Sequence, residues 1–462
     1  MRYGRRSLLS FLCFLSMWAM VGTGPSHAAD APAPTAPSTA PPAAPLPPAA
    51  PAPPAPAATP GTAAPAAAYE VWAIDQSDSS KDGGGTLYIY DGQALASDPK
   101  SAKPETIDLG DKFAEACKEA TGFPKRPHML LFTKDGKYAI LSYVASGHVV
   151  FIDAASRAPI GCVSLGKNAH AAFPAANMRM AIGANIAEKK LVRIWTDYAG
   201  KKFTIKPDND VVNLTQMESG QDVPDVAPIC PITDNRSQFV FVTFRGGGLA
   251  VFDITSNPMF LVGTLGRDAV RPAGCGGVQL GSNMYLNSGG GWPATPLNND
   301  VYAFPMSGLP SVSQPIRIGG RDGGDSHGMV AVNNRYLWAG DRHLNLIDVY
   351  DSNNDGMKAG TVRLAGEVSQ DPAPDLMDAA PDGSYVFTSL RGPSPLTGNN
   401  KDVNNAVGSS PGVGVIKVEN NGRSGKLVGI APITKMAEEK DKDGNMVQKE
   451  KADPHGIQVR KK

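Results

Sequence analysis

Asp453-Pro454-His455-Gly456-Ile457-Gln458-Val459, close to the end of this 462-residue chain, reads as the opening strand of a structural unit whose remaining strands never follow. A strand needs partners for its backbone N–H and C=O groups. They are available at the other end of the sequence, where 69–74, 86–90 and 105–109 are three strand-like runs with no opener before them. Joining the two ends makes one four-stranded unit and closes the chain on itself.

Between these ends the texture is short apolar or alternating runs separated by Asp-Gly, Asn-Asn and Gly-rich turns, which is an all-β pattern. The clearest unit spans 126–166: strands at 127–132, 138–142, 148–153 and 158–165, with Lys134-Asp135-Gly136 as a turn. The phrase recurs with drift, opening at Asn168-Ala169-His170, Val226-Ala227-Pro228, Pro272-Ala273-Gly274-Cys275, Asp325-Ser326-His327-Gly328 and Pro374-Asp375-Leu376. Six complete units plus the composite one predict a seven-bladed β-propeller at 69–462, its ring closed by the C-terminal strand joining the N-terminal strands in one blade. Such closure removes the unpaired edges of an open array.

These units resemble the YVTN-repeat (YncE-like) propeller proteins, whose repeat runs Pro-His-Gly, apolar strand, Pro-Asp-Gly turn, apolar strand ending in a small polar residue, then a strand ending in Ile-Asp. The matching stretches are 126–153, 325–348, 374–389 with its Pro381-Asp382-Gly383 turn, and 453–459; the units around Cys230 and Cys275 match loosely. The resemblance implies the fold and an exported protein. It implies no particular activity, because propellers host unrelated ones. Exported amine dehydrogenase subunits, haem nitrite reductase propellers and nitrous oxide reductases are similar in outline, but the chain has no Cys-x-x-Cys-His motif and no cupredoxin-like extension.

Ahead of the propeller, Arg2, Arg5 and Arg6, an apolar run from 8 to 21 and Ser26-His27-Ala28 read as an export signal peptide over 1–28. Arg5-Arg6 leaves both the general secretory and the twin-arginine routes open. Residues 29–68, almost all Ala and Pro, read as a disordered linker; at ~3.1 Å per residue it spans on the order of 100 Å. The expected location is periplasmic or secreted, with no transmembrane span in the mature chain. Removing 1–28 leaves 41 basic against 44 acidic side chains, a balance that favours no nucleic-acid partner. Cys117, Cys162, Cys230 and Cys275 then sit in an oxidising compartment, where three pairings are open. Cys117 with Cys162, and Cys230 with Cys275, are candidate disulfides; the second would take Cys275 away from any metal.

Aligning the blades on their turns puts His128, His170, Cys275, His327, Asp375 and His455 at equivalent places near the axis. Imidazole, thiol and carboxylate donors suit copper or zinc, which makes His128, His170, Cys275, His327 and His455 metal candidates. A His at a recurring opener also serves simply to hydrogen-bond a neighbouring blade. Loops after the second strands bring Asp75, Gln76, Asn185, Arg245, Asp341, Arg342 and Arg391 to the same face, and their guanidinium forks suit an anionic ligand or cofactor. The ligand-binding candidates are Asp75, Gln76, Asn185, Arg245, Trp292, Arg342, Asp375 and Arg391. The long loops 288–299, carrying Trp292, and 391–412 are candidate lids. A charged insert at 436–451 reads as a helix-capable or disordered solvated loop.

The leading expectation is a periplasmic binding or accessory propeller holding a small ligand, anionic cofactor or metal ion at a central His/Arg-lined mouth. The alternatives are an oxidoreductase or other metal-assisted enzyme at the same site, with His327 and His455 as ligands or acid–base groups and Arg342 or Arg391 orienting substrate, and a platform for a periplasmic protein partner.

Overall fold

The orphan strand finds the partners its pattern calls for. In a computed structural model that describes residues 68–462 except 78–82, 121, 218–221 and 291–296, Pro454–Lys461 pairs antiparallel with Tyr69–Asp75. The closing blade runs outward from Pro454–Lys461 through Tyr69–Asp75 and Thr86–Asp91 to Glu105–Asp108. Register is fixed by Glu70 opposite Arg460 and Trp72 opposite Gln458. Glu70, nearly buried, takes Arg460 Nε at 2.8 Å, Trp72 Nε1 at 3.0 Å and Arg157 Nη2 at 2.5 Å, so one carboxylate ties both chain ends to the next blade. The export and linker segments lie outside the described residues, apart from Ala68. No helix among the described residues is long and apolar enough to cross a membrane.

Six further sheets complete the seven-bladed ring, opening at Pro127–Phe132, Ala171–Pro174, Pro228–Thr233, Gly277–Leu280, Ser326–Val332 and Pro374–Ala379. Their faces pack through alternating apolar residues; Trp72, Trp338, Phe151, Phe241 and Tyr350 are fully buried between sheets. The third sheet gains an extra short strand, Val211–Asn213, against Lys190–Asp197.

The openers are not regular strands. Pairing between the first and second strands skips at Pro127/Met129, Pro228/Pro231, Ser326/Met329 and Pro374/Met377, and at the equivalent point of the closing blade. The unpaired residues at these bulges include His128, His327, Asp375 and His455, and a bulge re-aims the side chain it carries. The glycine that follows two of these histidines has a packing reason: a Cβ on Gly328 would lie 2.2 Å from Asp375 O, and one on Gly456 2.9 Å from His128 O. At these two positions the next blade's backbone approaches so closely that a side chain would clash.

Two disulfides form, Cys117–Cys162 and Cys230–Cys275, each joining neighbouring units. The insert at 436–451 departs from expectation: Met436–Lys440 and Met446–Glu450 form a two-stranded hairpin, its turn held by Asp441 Oδ1, which accepts from Asp443 N at 2.9 Å and Asn445 N at 2.8 Å.

Candidate functional site

Four imidazoles converge at the axial mouth. His128 and His455 stack with ring centroids 3.8 Å apart, His128 and His170 lie at 4.5 Å, and His327 meets His455 edge-on at 5.5 Å. Each comes from a different blade, and all four line a cavity of about 430 Å³ together with Ile186, Ile229, Asp325, Arg342, Leu396 and Lys401.

The hydrogen bonds settle which nitrogens carry protons. His170 Nδ1 lies 2.8 Å from Ile229 O and His455 Nδ1 lies 2.9 Å from His128 O, and a carbonyl only accepts, so both Nδ1 atoms donate. His128 Nδ1 lies 3.0 Å from Gln76 Oε1; the amide is oriented by its Nε2, which donates to Asp453 Oδ2 at 3.0 Å, so His128 Nδ1 donates as well. Burial holds all four rings neutral: His170 falls to about 4 and His455 to about 3, and His128 and His327 lie well below the ordinary imidazole value. In His128, His170 and His455 the Nε2 atom therefore carries a lone pair.

These lone pairs are poorly accommodated. His128 Nε2 and His170 Nε2 face each other at 3.1 Å. His327 Nε2 is buried without a hydrogen-bond partner; it lies 3.2 Å from Asp375 Oδ1 but not in hydrogen-bonding geometry. Asp375 Oδ2 lies 3.7 Å from His455 Nε2, and the donor atoms of His327, Asp375 and His455 all fall within 4.8 Å of one another.

The arginines are placed at this mouth but are not open to a ligand. Arg391, fully buried, is gripped by Asp375 and by Asp453 at 2.6 and 2.9 Å, with Nη2 also donating to Thr397 O at 2.9 Å. Arg342, 4 % exposed, bonds Asp325 through Nε, Asp375 through Nη1 at 3.2 Å and Gly398 O through Nη2 at 3.0 Å. Burial opposes the charge of Asp375, yet the Arg391 and Arg342 guanidiniums beside it hold its carboxyl well below the usual range. Burial likewise opposes the charge of Arg391, and the Asp453 and Asp375 carboxylates outweigh it. Arg245, at the rim, pairs with Asp225 at 2.6 Å. Three acids thus face two guanidiniums in the floor, with burial raising Asp325, and Asp453 to about 6, toward the neutral form. The Arg342 and Arg391 forks, expected to meet an anion or orient a substrate, are filled by side chains and carbonyls of the chain itself, whereas Arg245 engages Asp225 through Nε and still lines the cavity.

Other candidates take structural places. Cys275 leaves the donor set, since its sulfur is bonded to Cys230, with Cys230 Sγ 3.9 Å from His170 Nδ1. Asp75 is buried and accepts from Ser77 and from the Asp453 N–H at 2.7 Å. Asn185 is buried and holds Leu165 O and Glu188. Trp292 lies outside the described residues. The 391–412 loop covers the mouth, but as a fixture: Leu396 N donates to Asp453, Gln76 Nε2 to Thr397 Oγ1, and Asn405 Nδ2 to Asp325.

Asp325 and Asp453 were not among the sequence candidates. Their signal is the shared Asp-x-His opening of 325–327 and 453–455; Asp325 is answered by Arg342 after the second strand of its own blade, Asp453 by Arg391 of the preceding blade. A second device also recurs: Ser142, Asn287 and Ser389, near the ends of second strands, donate to the opener carbonyls of His170, His327 and His455 in the following blade.

No protein-family model and no curated protein matches the chain. Solved structures do. A putative 6-phosphogluconolactonase from Bacteroides uniformis aligns at 13 % identity and a TM-score of 0.52, over 85 % of this chain and 99 % of the other. A protein from Lactobacillus plantarum aligns at 10 % identity and a TM-score of 0.54, with the same coverage. At this identity the likeness is one of fold: the chain shares the seven-bladed β-propeller architecture of these structures, a fold that commonly serves binding.

Proposed function

We propose that this protein is an exported binding or accessory propeller that holds a small ligand in its axial cavity. One observation carries the reading: four neutral imidazoles from four blades converge on a 430 Å³ cavity while the charged groups beneath them are mutually satisfied. Cavities of this size with a few convergent polar groups are the usual form of small-ligand sites. With the Arg342 and Arg391 guanidiniums already engaged by acids of the chain itself, a cationic or neutral occupant is favoured over an anionic cofactor. The basic, apolar head of the sequence supports export to the periplasm or beyond, and the blade phrases support kinship with YVTN-repeat proteins.

Native mass spectrometry of the folded protein isolated from its own compartment tests the site. One bound species per chain is expected, with occupancy reduced by Leu396→Trp, which narrows the mouth without touching the buried ion pairs. A full-length protein with no stoichiometric occupant, or one whose occupancy that substitution leaves unchanged, contradicts the proposal. Fractionation of cells tests location, and replacing Arg5 and Arg6 by Lys distinguishes the export routes: only twin-arginine export stops.

A further inference from the structure

We infer that the occupant of the axial cavity includes a single zinc or copper ion held by His128 Nε2 and His170 Nε2, in a cavity that His327 and His455 also line. The inference rests on the reading of the cavity as the ligand site and names the class of ligand.

Three independent features of the geometry point to a metal. First, the Nδ1–H groups of His128, His170 and His455 are each committed to a fixed oxygen acceptor. This is how ligating histidines are set: an outer partner locks the tautomer and aims the other nitrogen at the ion. Second, two Nε2 atoms whose rings both donate through Nδ1 face each other at 3.1 Å, a separation that calls for a positive centre, an ion or a proton, between them. With metal–nitrogen bonds of about 2.0–2.1 Å, that separation corresponds to a nitrogen–metal–nitrogen angle of roughly 100°, close to tetrahedral. Third, His327 Nε2 is a buried donor atom with no hydrogen bond, on the same cavity wall.

The alternatives are weaker. A proton shared between His128 and His170 would place a cation in a site that offers no carboxylate to either ring, because Asp453 reaches His128 only through Gln76. Magnesium or calcium would need oxygen donors, whereas the free atoms are imidazole nitrogens. Imidazoles suit zinc and copper.

The test uses the full mature chain, stripped with chelator and titrated separately with Zn(II), Cu(II) and Cu(I) against a competing chromophoric chelator. One equivalent of zinc or copper is expected, with affinity falling more than about 100-fold in His128→Gln/His170→Gln. In Gln76→Leu, which frees the His128 ring but keeps it, a 10–100-fold loss is expected. X-ray absorption of the wild-type complex needs no variant and should show nitrogen scatterers at about 2.0 Å with an imidazole pattern. Absence of binding, affinity unchanged in the folded double variant, or a sulfur shell at about 2.3 Å each overturns the metal site. An organic occupant in the cavity with no metal uptake also overturns it, while leaving the proposed function standing.

Discussion

The floor and the wall of the mouth are built from neighbouring positions of the repeat, yet they differ in kind. In the floor, Asp325, Asp375 and Asp453 interleave with Arg342 and Arg391, and every guanidinium is engaged on two sides. On the wall, His128, His170 and His455 anchor Nδ1, His128 Nε2 and His170 Nε2 have only each other, and His327 Nε2 has no hydrogen-bond partner. Charged groups that answer one another inside the chain hold blades together; polar atoms left without an answer are where something from outside is expected to bind. The comparison teaches that the arginines, the more conspicuous residues, are the structural part, and the neutral imidazoles the receptive part.

The largest effect should come from the floor. Arg391→Ala leaves Asp375 and Asp453 buried without their cation, and removing one partner of a buried pair costs about 3–5 kcal/mol. Denaturant unfolding should show a loss of that size; a loss under about 1 kcal/mol would mean the floor is not structural and would collapse the contrast. The wall predicts the opposite balance: in His128→Gln/His170→Gln ligand binding is lost while unfolding stability changes by no more than about 1 kcal/mol, since a lone-pair clash is removed along with the packing.

A smaller effect is set by pH. Burial pushes the Asp378 carboxyl, which accepts the closing strand's Val459 N–H at 2.8 Å, up to about 6. Its folded value lies above the unfolded value of about 3.9, so its contribution is full below pH ~4 and is lost as pH rises through about 6. Wild-type stability should therefore decline over that window relative to Asp378→Asn, and parallel pH profiles for the two proteins would contradict the assignment. The smallest effect is Asn185→Ala, about 1 kcal/mol of stability with ligand affinity unchanged; a drop in affinity would return Asn185 to the receptive part.

The ring itself was legible in the sequence because each blade repeats a phrase with turn residues at fixed places, and because an opener without followers at 453–459 has one solution. The convergence of His128, His170, His327 and His455 was legible for the same reason. What resisted was pairing across blades. Arg391 and Asp453 are 62 residues apart, and nothing local marks them as partners, so an arginine answered by an acid looks the same in sequence as one awaiting an anion. The opener bulges, which turn the histidines toward the axis, leave only a Pro or Ser before the turned residue as a trace. The hairpin at 436–450 was hidden by its charge, although Asp443-Gly444 is a hairpin turn signal.

Anomalous diffraction from a crystal of the mature chain equilibrated with zinc or copper tests the receptive wall most directly. The account predicts a single strong peak in the axial cavity, about 2.0 Å from both His128 Nε2 and His170 Nε2. Peaks confined to the surface, or none at the axis with the metal in excess, would contradict it.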